Sequence, residues 1–590
     1  MLYEWLDVEA LTRRPRYADH TRETFDAALD TCEKIATEKF EPHNKKSDQN
    51  EPTFDGTRVH MIPEVKEALR AFCDAGLMAA GQDYDLGGMQ LPATVSSAGF
   101  SYFKGANVSS SGYTLLTIGN ANLLLAHGSQ EQIDTYVRPM MGGRFFGTMC
   151  LSEPQAGSSL SDVKTRAERD ADGSYRLFGN KMWISGGEHE LSENIIHLVL
   201  AKVPGGPPGV RGISLFIVPK TLVNGDGTLG ERNDVVLAGL NHKLGYRGTV
   251  NTLLNFGEGK FRPGGKSGAV GYLVGEENKG LACMFHMMNS ARIGVGLGAT
   301  MLGYTGYLHA LDYARNRPQG RHPQAKDPAS PQVPIIEHAD VKRMLLAQKA
   351  YVEGALALNL YCARLVDEEK TAETEDARRA ATLLLDILTP IAKSWPSQWC
   401  LEANSLAIQV HGGYGYTRDY NVEQFWRDNR LNPIHEGTHG IQGLDLLGRK
   451  VTMHGGAAFK ALGAEIEKTV GRGLQHQDAQ TRRFATDLAD TSRRVADTTV
   501  KLYAPNDHNK TLANSSVYLE AFGHMVMAWI WLEQSLAASK GYNEADSDFY
   551  HGKWQACRYF FLWELPKVGT MLDLLQSIDT TTLDMQDAWF

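Results

Sequence analysis

A lone acid, Glu436, stands in NPIHEGTHGIQGLDLLGRK (residues 432–450), between a histidine and a glycine and with no lysine or arginine within two residues. Two chemistries suit a carboxylate there. It can open the helix-like run that follows, where the helix dipole favours negative charge by about 0.3–1 kcal/mol. It can instead be a general base, because a carboxyl in an apolar pocket has its pKa raised and accepts a proton near neutrality. Two further stretches carry groups able to hold a ligand: the hydroxyl-rich MCLSEPQAGSSLSDVK and the aromatic KMWISGG. A fourth, GVGLGA (residues 294–299), fits the GxGxxG/A pattern that cradles a dinucleotide pyrophosphate.

The elements around these stretches decide what they can do. Residues 21–145 show helical spacing, as in TFDAALDTCEKIATEKF and VKEALRAFCDAGL. From about 147 to 262 the texture turns to strands: RAERDADGSYRLFGNKMWIS carries an Asp-Gly turn between alternating segments, and NIIHLVLAKV and GISLFIVPK are short β-branched runs. Helical spacing returns in MMNSARIGVGLGATMLGYTGYLHALDYARNR, in HADVKRMLLAQKAYVEGALALNLYCARLVDEE and in ARRAATLLLDILTPIAKSWPSQWCLEANSLAIQV. Five prolines from Pro318 to Pro334 predict an irregular loop between the first two of these. Beyond about residue 455 the chain is helical again. The pattern predicts a multi-domain α protein with a central β-domain, divided as 1–146 (helical), 147–270 (β), 271–453 (helical bundle carrying Glu436) and 454–590 (additional helical module). GVGLGA falls inside a helical run with no strand feeding it, so its small residues read as a helix-packing face rather than a nicotinamide site.

With 590 residues, 42% apolar and 22% charged, the chain has a globular composition and is too long for one ordinary core. A net charge of −9 with mixed signs argues against a nucleic-acid binder. Seven scattered cysteines without CxxC spacing read as reduced thiols, with neither a disulfide framework nor a metal site expected. The N-terminal MLYEWLDVEALTRRPRYADH lacks an apolar h-region, and no apolar run is long enough to span a bilayer. A soluble cytoplasmic protein is the expectation.

In order along the chain, MCLSEPQAGSSLSDVKTRAE, KMWISGG, ARIGVGLGA…YARNRPQGR, IQVHGGYGY and HEGTHGIQ resemble the flavin-dependent acyl-CoA dehydrogenase family over roughly residues 25–450. RPQGR and the helical extension resemble a subgroup of longer members. The resemblance implies an N-terminal helical domain, a β-barrel-like middle domain and a helical bundle, here with a C-terminal helical module. It implies FAD as cofactor, an acyl-CoA thioester as substrate and trans-2-enoyl-CoA as product. Electrons would pass to electron-transferring flavoprotein, and the assembly would be a homodimer.

The implied reaction removes an α-proton while the β-hydrogen leaves as hydride to flavin N5, so a base, an enolate stabiliser and an acceptor must be held in line. Glu436 matches the family's base, and Gly437 lets the backbone approach the substrate. Some members carry the base just before the arginine of the ARI segment; Ala291 occupies that place here and cannot abstract a proton. The enolate oxygen would lie between the Glu436 N–H and a ribityl hydroxyl. Met149, Leu151 and Ser152 match one contact edge of the isoalloxazine, and Trp183 and Ser185 its second wall. Taken alone Trp183 reads as an ordinary strand residue packed into the β-domain core, and only beside SEPQAGS does the wall reading take precedence. Arg317 and Gln319 match positions that reach the FAD of a neighbouring subunit; Gln409, Gly412 and Gly413 match the loop beside its adenosine part. Thr438 matches a further FAD contact, while the glutamine usual in the next contact falls on Gly440, which moves that bond to Gln442 or removes it. Ser158 and Arg292 match residues near the pantetheine arm and the CoA nucleotide. His435 replaces a common tyrosine, and His439 reads as a packing or capping residue.

Two other functions fit parts of the pattern. An acyl-CoA oxidase would share fold, flavin and base and differ in oxygen access. A DNA-associated alkylation-response flavoprotein needs a basic C-terminal track, whereas HQDAQTRRFATDLADTSRRVADTT alternates arginine with acids, as a solvated helix face does.

Overall fold

The computed structural model describes residues 1–325, 327–543 and 545–590, with backbone only at residues 286, 288 and 289. Two compact units emerge: one of residues 26–91 and 102–294, the other of residues 1–25, 92–101 and 295–590.

The first unit is built on a sheet. Helix α1 (Val108–His127) opens with the Asn107 side chain accepting from the Ser110 N–H, as an Asn N-cap does. Strands β1 (Phe145–Cys150), β2 (Arg166–Arg169), β3 (Tyr175–Ser185), β4 (Asn194–Lys202), β5 (Ile213–Pro219), β6 (Val235–Leu240), β7 (Asn251–Phe256) and β8 (Ala269–Leu273) follow. They pair in the order β6-β7-β3-β8-β5-β4-β1, and β2 bonds to both β3 and β4. That double pairing closes β3, β8, β5, β4 and β2 into a ring, the barrel-like form expected from the sequence. The Asp-Gly hairpin is present between β2 and β3, with Asp170 N–H donating to Ser174 O at 2.8 Å and Gly173 at φ 88°. Strand β4 is buried on both faces, which explains its unbroken apolar run. Val199 and Ala201 face the core with Leu177 and Phe216, and Ile196, Leu198 and Leu200 face Leu123 and Leu124 of α1.

The second unit is helical. Its long elements are α2 (Gly280–Asn316, entering this unit at Val295), α3 (Ala339–Thr371) and α4 (Glu375–His411), then the short α5 (His439–Asp445). The C-terminal module adds α6 (Met453–Leu474), α7 (Ala479–Tyr503), α8 (Ser515–Ala538) and α9 (Ser547–Tyr559). GVGLGA lies inside α2, as its lack of a feeding strand predicts. A Cβ at Gly296 would collide with the Ala392 carbonyl of α4, and one at Gly303 would lie 2.7 Å from Cys400 Cβ. Pro396 removes the N–H that would bond Ala392 O within α4, so that carbonyl turns toward the glycine face. Helix α8 is buried on nearly all sides, and Trp531 donates to Ala350 O of α3 at 3.0 Å. The module is therefore packed into the bundle rather than appended to it. The N-terminal segment is tied in by Asp367 of α3, whose buried carboxylate accepts from Ala93 N, Thr94 N, Thr94 Oγ1 and Tyr17 OH at 2.6–2.9 Å.

The proline segment is the irregular loop expected, with no helix or strand among its described residues, and its two ends meet at a single bridge. Gln319 N–H donates to Val333 O, Val333 N–H to Gly320 O and Ile335 N–H to Arg317 O, so the two ends pair antiparallel. Proline cannot donate, but the residues beside the prolines can, and they carry the pairing.

All seven cysteines are free among the described residues. No described helix is long and apolar enough to cross a membrane.

Candidate functional site

In the first unit, the end of β1 and the end of β3 are brought together. Lys181 Nζ donates to Leu151 O at 2.9 Å, and Met182 N–H donates to Ser152 O at 3.0 Å. Opposite β7 the register slips: Ile184 faces Thr252 while Lys181 faces Leu254, leaving Met182 and Trp183 against one residue. This β-bulge puts Trp183 at φ 65°, a left-handed conformation that is costly for an aromatic residue. Its consequence is outward aim: Trp183 is 58% exposed, so the alternative of a core tryptophan does not hold. Beside it Ser185 Oγ accepts from Asn251 Nδ2 at 3.2 Å. Met149, Leu151, Ser152, Trp183 and Ser185 thus form one half-exposed edge.

That edge rests on a buried ion pair. Lys181 and Glu153 are almost wholly enclosed and 2.9 Å apart. The Glu153 carboxylate also accepts from the Lys164 and Thr165 N–H groups at 2.7 and 3.0 Å and from Gln155 Nε2 at 2.7 Å. Burial alone would raise the Glu153 carboxyl, but Lys181 and these donors outweigh it and hold it down to about 2. Ser158 lies exposed on the loop that Glu153 anchors. Arg292 lies on α2 with only 4% of its surface exposed.

In the second unit, Glu436 is not a helix-start acid. Helix α5 begins at His439 with Thr438 as N-cap, its Oγ1 accepting from the Ile441 N–H at 3.3 Å. Glu436 precedes the cap by two residues, half-buried, at φ 54°, with Gly437 at φ 89°. A left-handed residue other than glycine, as Glu436 is, persists only where the surroundings over-determine it. Here they do. The buried ammonium of Lys393, on α4, donates to Asn432 O and Gly437 O, both at 2.7 Å. From the far side Gln442 Nε2 donates to Glu436 O at 3.1 Å and Gly437 O at 3.4 Å, so its amide is committed to the loop. His435 Nε2 lies 3.1 Å from Asn432 Oδ1. His439 is not the cap but a packing residue with two partners: its Nδ1 is 2.7 Å from Ser394 Oγ and its Nε2 is 3.4 Å from Glu520 Oε1.

Gly437 is required twice over, by its φ and by space, since a Cβ there would lie 2.5 Å from Gln442 Nε2. Gly437→Ala should lower stability by about 1–3 kcal/mol and displace the Glu436 loop. A thermal melt unchanged from the parent would contradict that assignment of strain.

A third group gathers where α2 and α4 end. Arg317 stacks its guanidinium over Tyr414 at 5.4 Å, and Tyr313 stacks on His411 at 4.3 Å. Gly412, at φ 61°, and Gly413 are exposed and have no neighbour within 4 Å of a built Cβ, which leaves room for a ligand against the backbone. Gln409 O accepts from the Gly412 N–H, and the Gln319 backbone is fixed by Val333 O and His338. The side chains of Arg317, Gln319 and Gln409 are exposed.

Sequence reasoning missed Lys393, Ser394, Glu520 and the Lys181–Glu153 pair. Only Glu153 and Lys181 had a signal, since both sit inside quoted motifs.

The chain matches family models described as Acyl-CoA dehydrogenase, middle domain (residues 148–257), Acyl-CoA dehydrogenase, C-terminal domain (278–451) and Acetyl-CoA dehydrogenase C-terminal like (462–586). It is 37% identical over 558 residues to 3-methylmercaptopropionyl-CoA dehydrogenase of Ruegeria pomeroyi, covering 94% of this chain and 92% of that one. It is 32% identical over 606 residues to the broad-specificity linear acyl-CoA dehydrogenase FadE5 of Mycobacterium tuberculosis, covering 100% and 98%. Its fold is similar to that of an acyl-CoA dehydrogenase from Bacillus anthracis complexed with FAD, at TM-score 0.74 and 19% identity over 97% of this chain and 91% of that one.

Proposed function

The chain belongs to the acyl-CoA dehydrogenase family, FAD-dependent oxidoreductases of acyl-CoA thioesters, and from that premise we propose that Glu436 is the base that takes the α-proton of the bound thioester. The product is the trans-2-enoyl-CoA, and the electrons leave to an electron-transferring flavoprotein.

The observation that carries this reading is the strained Glu436–Gly437 pair, held by Lys393 and Gln442. A base must meet a C–H bond at a fixed distance and angle, and misplacement by about 1 Å can cost about 10²-fold. Carbonyls of residues 432, 436 and 437 are fixed, so the backbone from which the carboxylate extends is fixed too. As charge develops on the thioester oxygen, the Glu436 N–H donates to it, and Gly437 permits the approach. Glu436 then holds the α-proton until product leaves.

The residues present fit FAD. Trp183 offers an exposed aromatic face beside Met149, Leu151 and the hydroxyls of Ser152 and Ser185. Thr438 adds a hydroxyl next to the base. Arg317, Gln319, Gln409, Gly412 and Gly413 offer a cation, amides and open backbone, which in a homodimer would serve the FAD of the second copy. Bound FAD supplies the two-electron acceptor for the β-hydrogen. Ser158 and Arg292 are assigned to the pantetheine and nucleotide ends of the acyl-CoA.

The test is anaerobic bleaching of the purified yellow protein against acyl-CoAs of graded length, branched chains and 3-methylmercaptopropionyl-CoA. Bleaching by at least one of them, with recolouring by electron-transferring flavoprotein, is expected. A protein that refuses FAD, or that no acyl-CoA bleaches, overturns the reading; recolouring by air with peroxide at each turnover replaces the dehydrogenase with an oxidase.

A further inference from the structure

The C-terminal module reaches the base loop directly. Helix α5, which starts three residues after Glu436, seats on α8: a Cβ at Gly443 would lie 2.7 Å from Ser515 O. From α8, Glu520 presents its carboxylate to His439, with Nε2 and Oε1 3.4 Å apart. The other Glu520 oxygen accepts from Trp399 Nε1 of α4 at 2.9 Å and faces His524 Nδ1 at 3.9 Å. On its opposite ring nitrogen His439 meets Ser394 Oγ at 2.7 Å. Ser394 adjoins Lys393, the residue that holds the Asn432 and Gly437 carbonyls. Both ring nitrogens of the first residue of α5 are thus engaged, one by the bundle and one by the module.

This matters because the Glu436–Gly437 conformation is costly. Glu436 in the left-handed region costs about 1–3 kcal/mol, while Gly437 adopts it freely, and the loop relaxes if its supports loosen. Lys393 and Gln442 fix the carbonyls on the loop, but the loop's exit is fixed only where α5 is. Burial alone would raise the Glu520 carboxyl; the hydrogen bond from His439, the neighbouring His524 and the Trp399 donor outweigh it and keep it below the usual carboxylate range, so it remains an anionic partner for His439.

We propose that Glu520 and Ser394 are positioning residues for Glu436, acting through His439, so that the C-terminal module is a working part of the catalytic base. The inference rests on Glu436 being that base. Neither residue touches substrate; each sets where the carboxylate stands when the thioester arrives.

The experiment uses the full-length FAD-loaded protein and the acyl-CoA that bleaches the parent fastest. Glu520→Leu and Ser394→Ala should each slow the first-order rate of anaerobic flavin reduction by about tenfold, as a displaced base does. Affinity for the matching non-reducible 3-thia-acyl-CoA should stay within about twofold, because that binding does not need the base in register. Glu520→Gln keeps an acceptor for His439 and should stay within about threefold of the parent. A module that only stabilises the fold would instead lower FAD content and melting temperature together and leave the reduction rate of the loaded protein alone. If Glu520→Leu does not fold, Ser394→Ala decides. Parent-like reduction by the variants that fold, beside a dead Glu436→Gln, overturns this inference and leaves the base assignment standing. A fully active Glu436→Gln overturns the base itself.

Discussion

Glu436→Gln should purify yellow, bind acyl-CoA and fail to bleach. Gln has nearly the volume and shape of Glu, and the described contacts on the carbonyls of residues 432, 436 and 437 are left in place by the substitution. FAD content and the melting curve are therefore expected to match the parent. What is lost is the proton acceptor. General-base contributions run to about 10²–10⁴-fold, and with an α-C–H as the acid the upper part of that range, at least about 10³-fold in the rate of anaerobic reduction, is expected. Stopped-flow absorbance of the flavin measures it. Because the loss falls on the chemical step and not on binding, kcat and kcat/KM should fall together with the affinity for a non-reducible analogue unchanged.

Lys181→Met should cost the first unit about 3–5 kcal/mol and release much of its flavin. The lysine is sealed in with Glu153, and removing one member of a buried pair leaves the other charge uncompensated. The damage is also local to the site, since Lys181 Nζ holds Leu151 O and Glu153 holds the Lys164 and Thr165 N–H groups at the two ends of the SEPQAGS loop. A fall of about 10 °C in the melting temperature is expected, with the protein isolated largely as apoprotein. Replacing both residues, Lys181→Met with Glu153→Gln, should recover part of the stability because no buried charge is stranded. Equal melting of the single variant and the parent would remove the pair from the account.

The same pair gives a pH dependence whose sign is fixed. Glu153 is held at about 2 in the fold against 4.5 for an ordinary glutamate, a difference worth about 3 kcal/mol. A depressed carboxyl contributes stability that is complete above the unfolded value and is lost as the pH falls through the folded one. The parent should therefore lose stability between about pH 4.5 and pH 2, and Glu153→Gln should lose less over that interval. Melting temperatures across that window measure the difference.

The order helices, β-domain, helices and helical module was legible because each depends on local periodicity. So was the rejection of GVGLGA as a dinucleotide turn, because the missing strand is a local fact, and α2 runs through it. Glu436, Gly437 and the SEPQAGS and KMWIS segments were legible as motifs. The proline segment was legible as a loop, but the bridge joining its ends was not, since counting prolines says where donors are missing and not what Gln319, Val333 and Ile335 bond to. Trp183 was ambiguous between wall and core because strand alternation cannot reveal a bulge, which exists only where β3 meets β7 with one residue too many.

The sequence by itself determined the family, the order of the segments and the acid here proposed as the base, because motifs and periodicity are written in neighbouring residues. The tertiary structure alone decided what holds that acid. Lys393 meets Gly437 across 44 positions, and Trp399 meets Glu520 across 121. Contacts of that span arise when helices choose which faces to bury against one another, and no stretch of neighbouring residues records that choice.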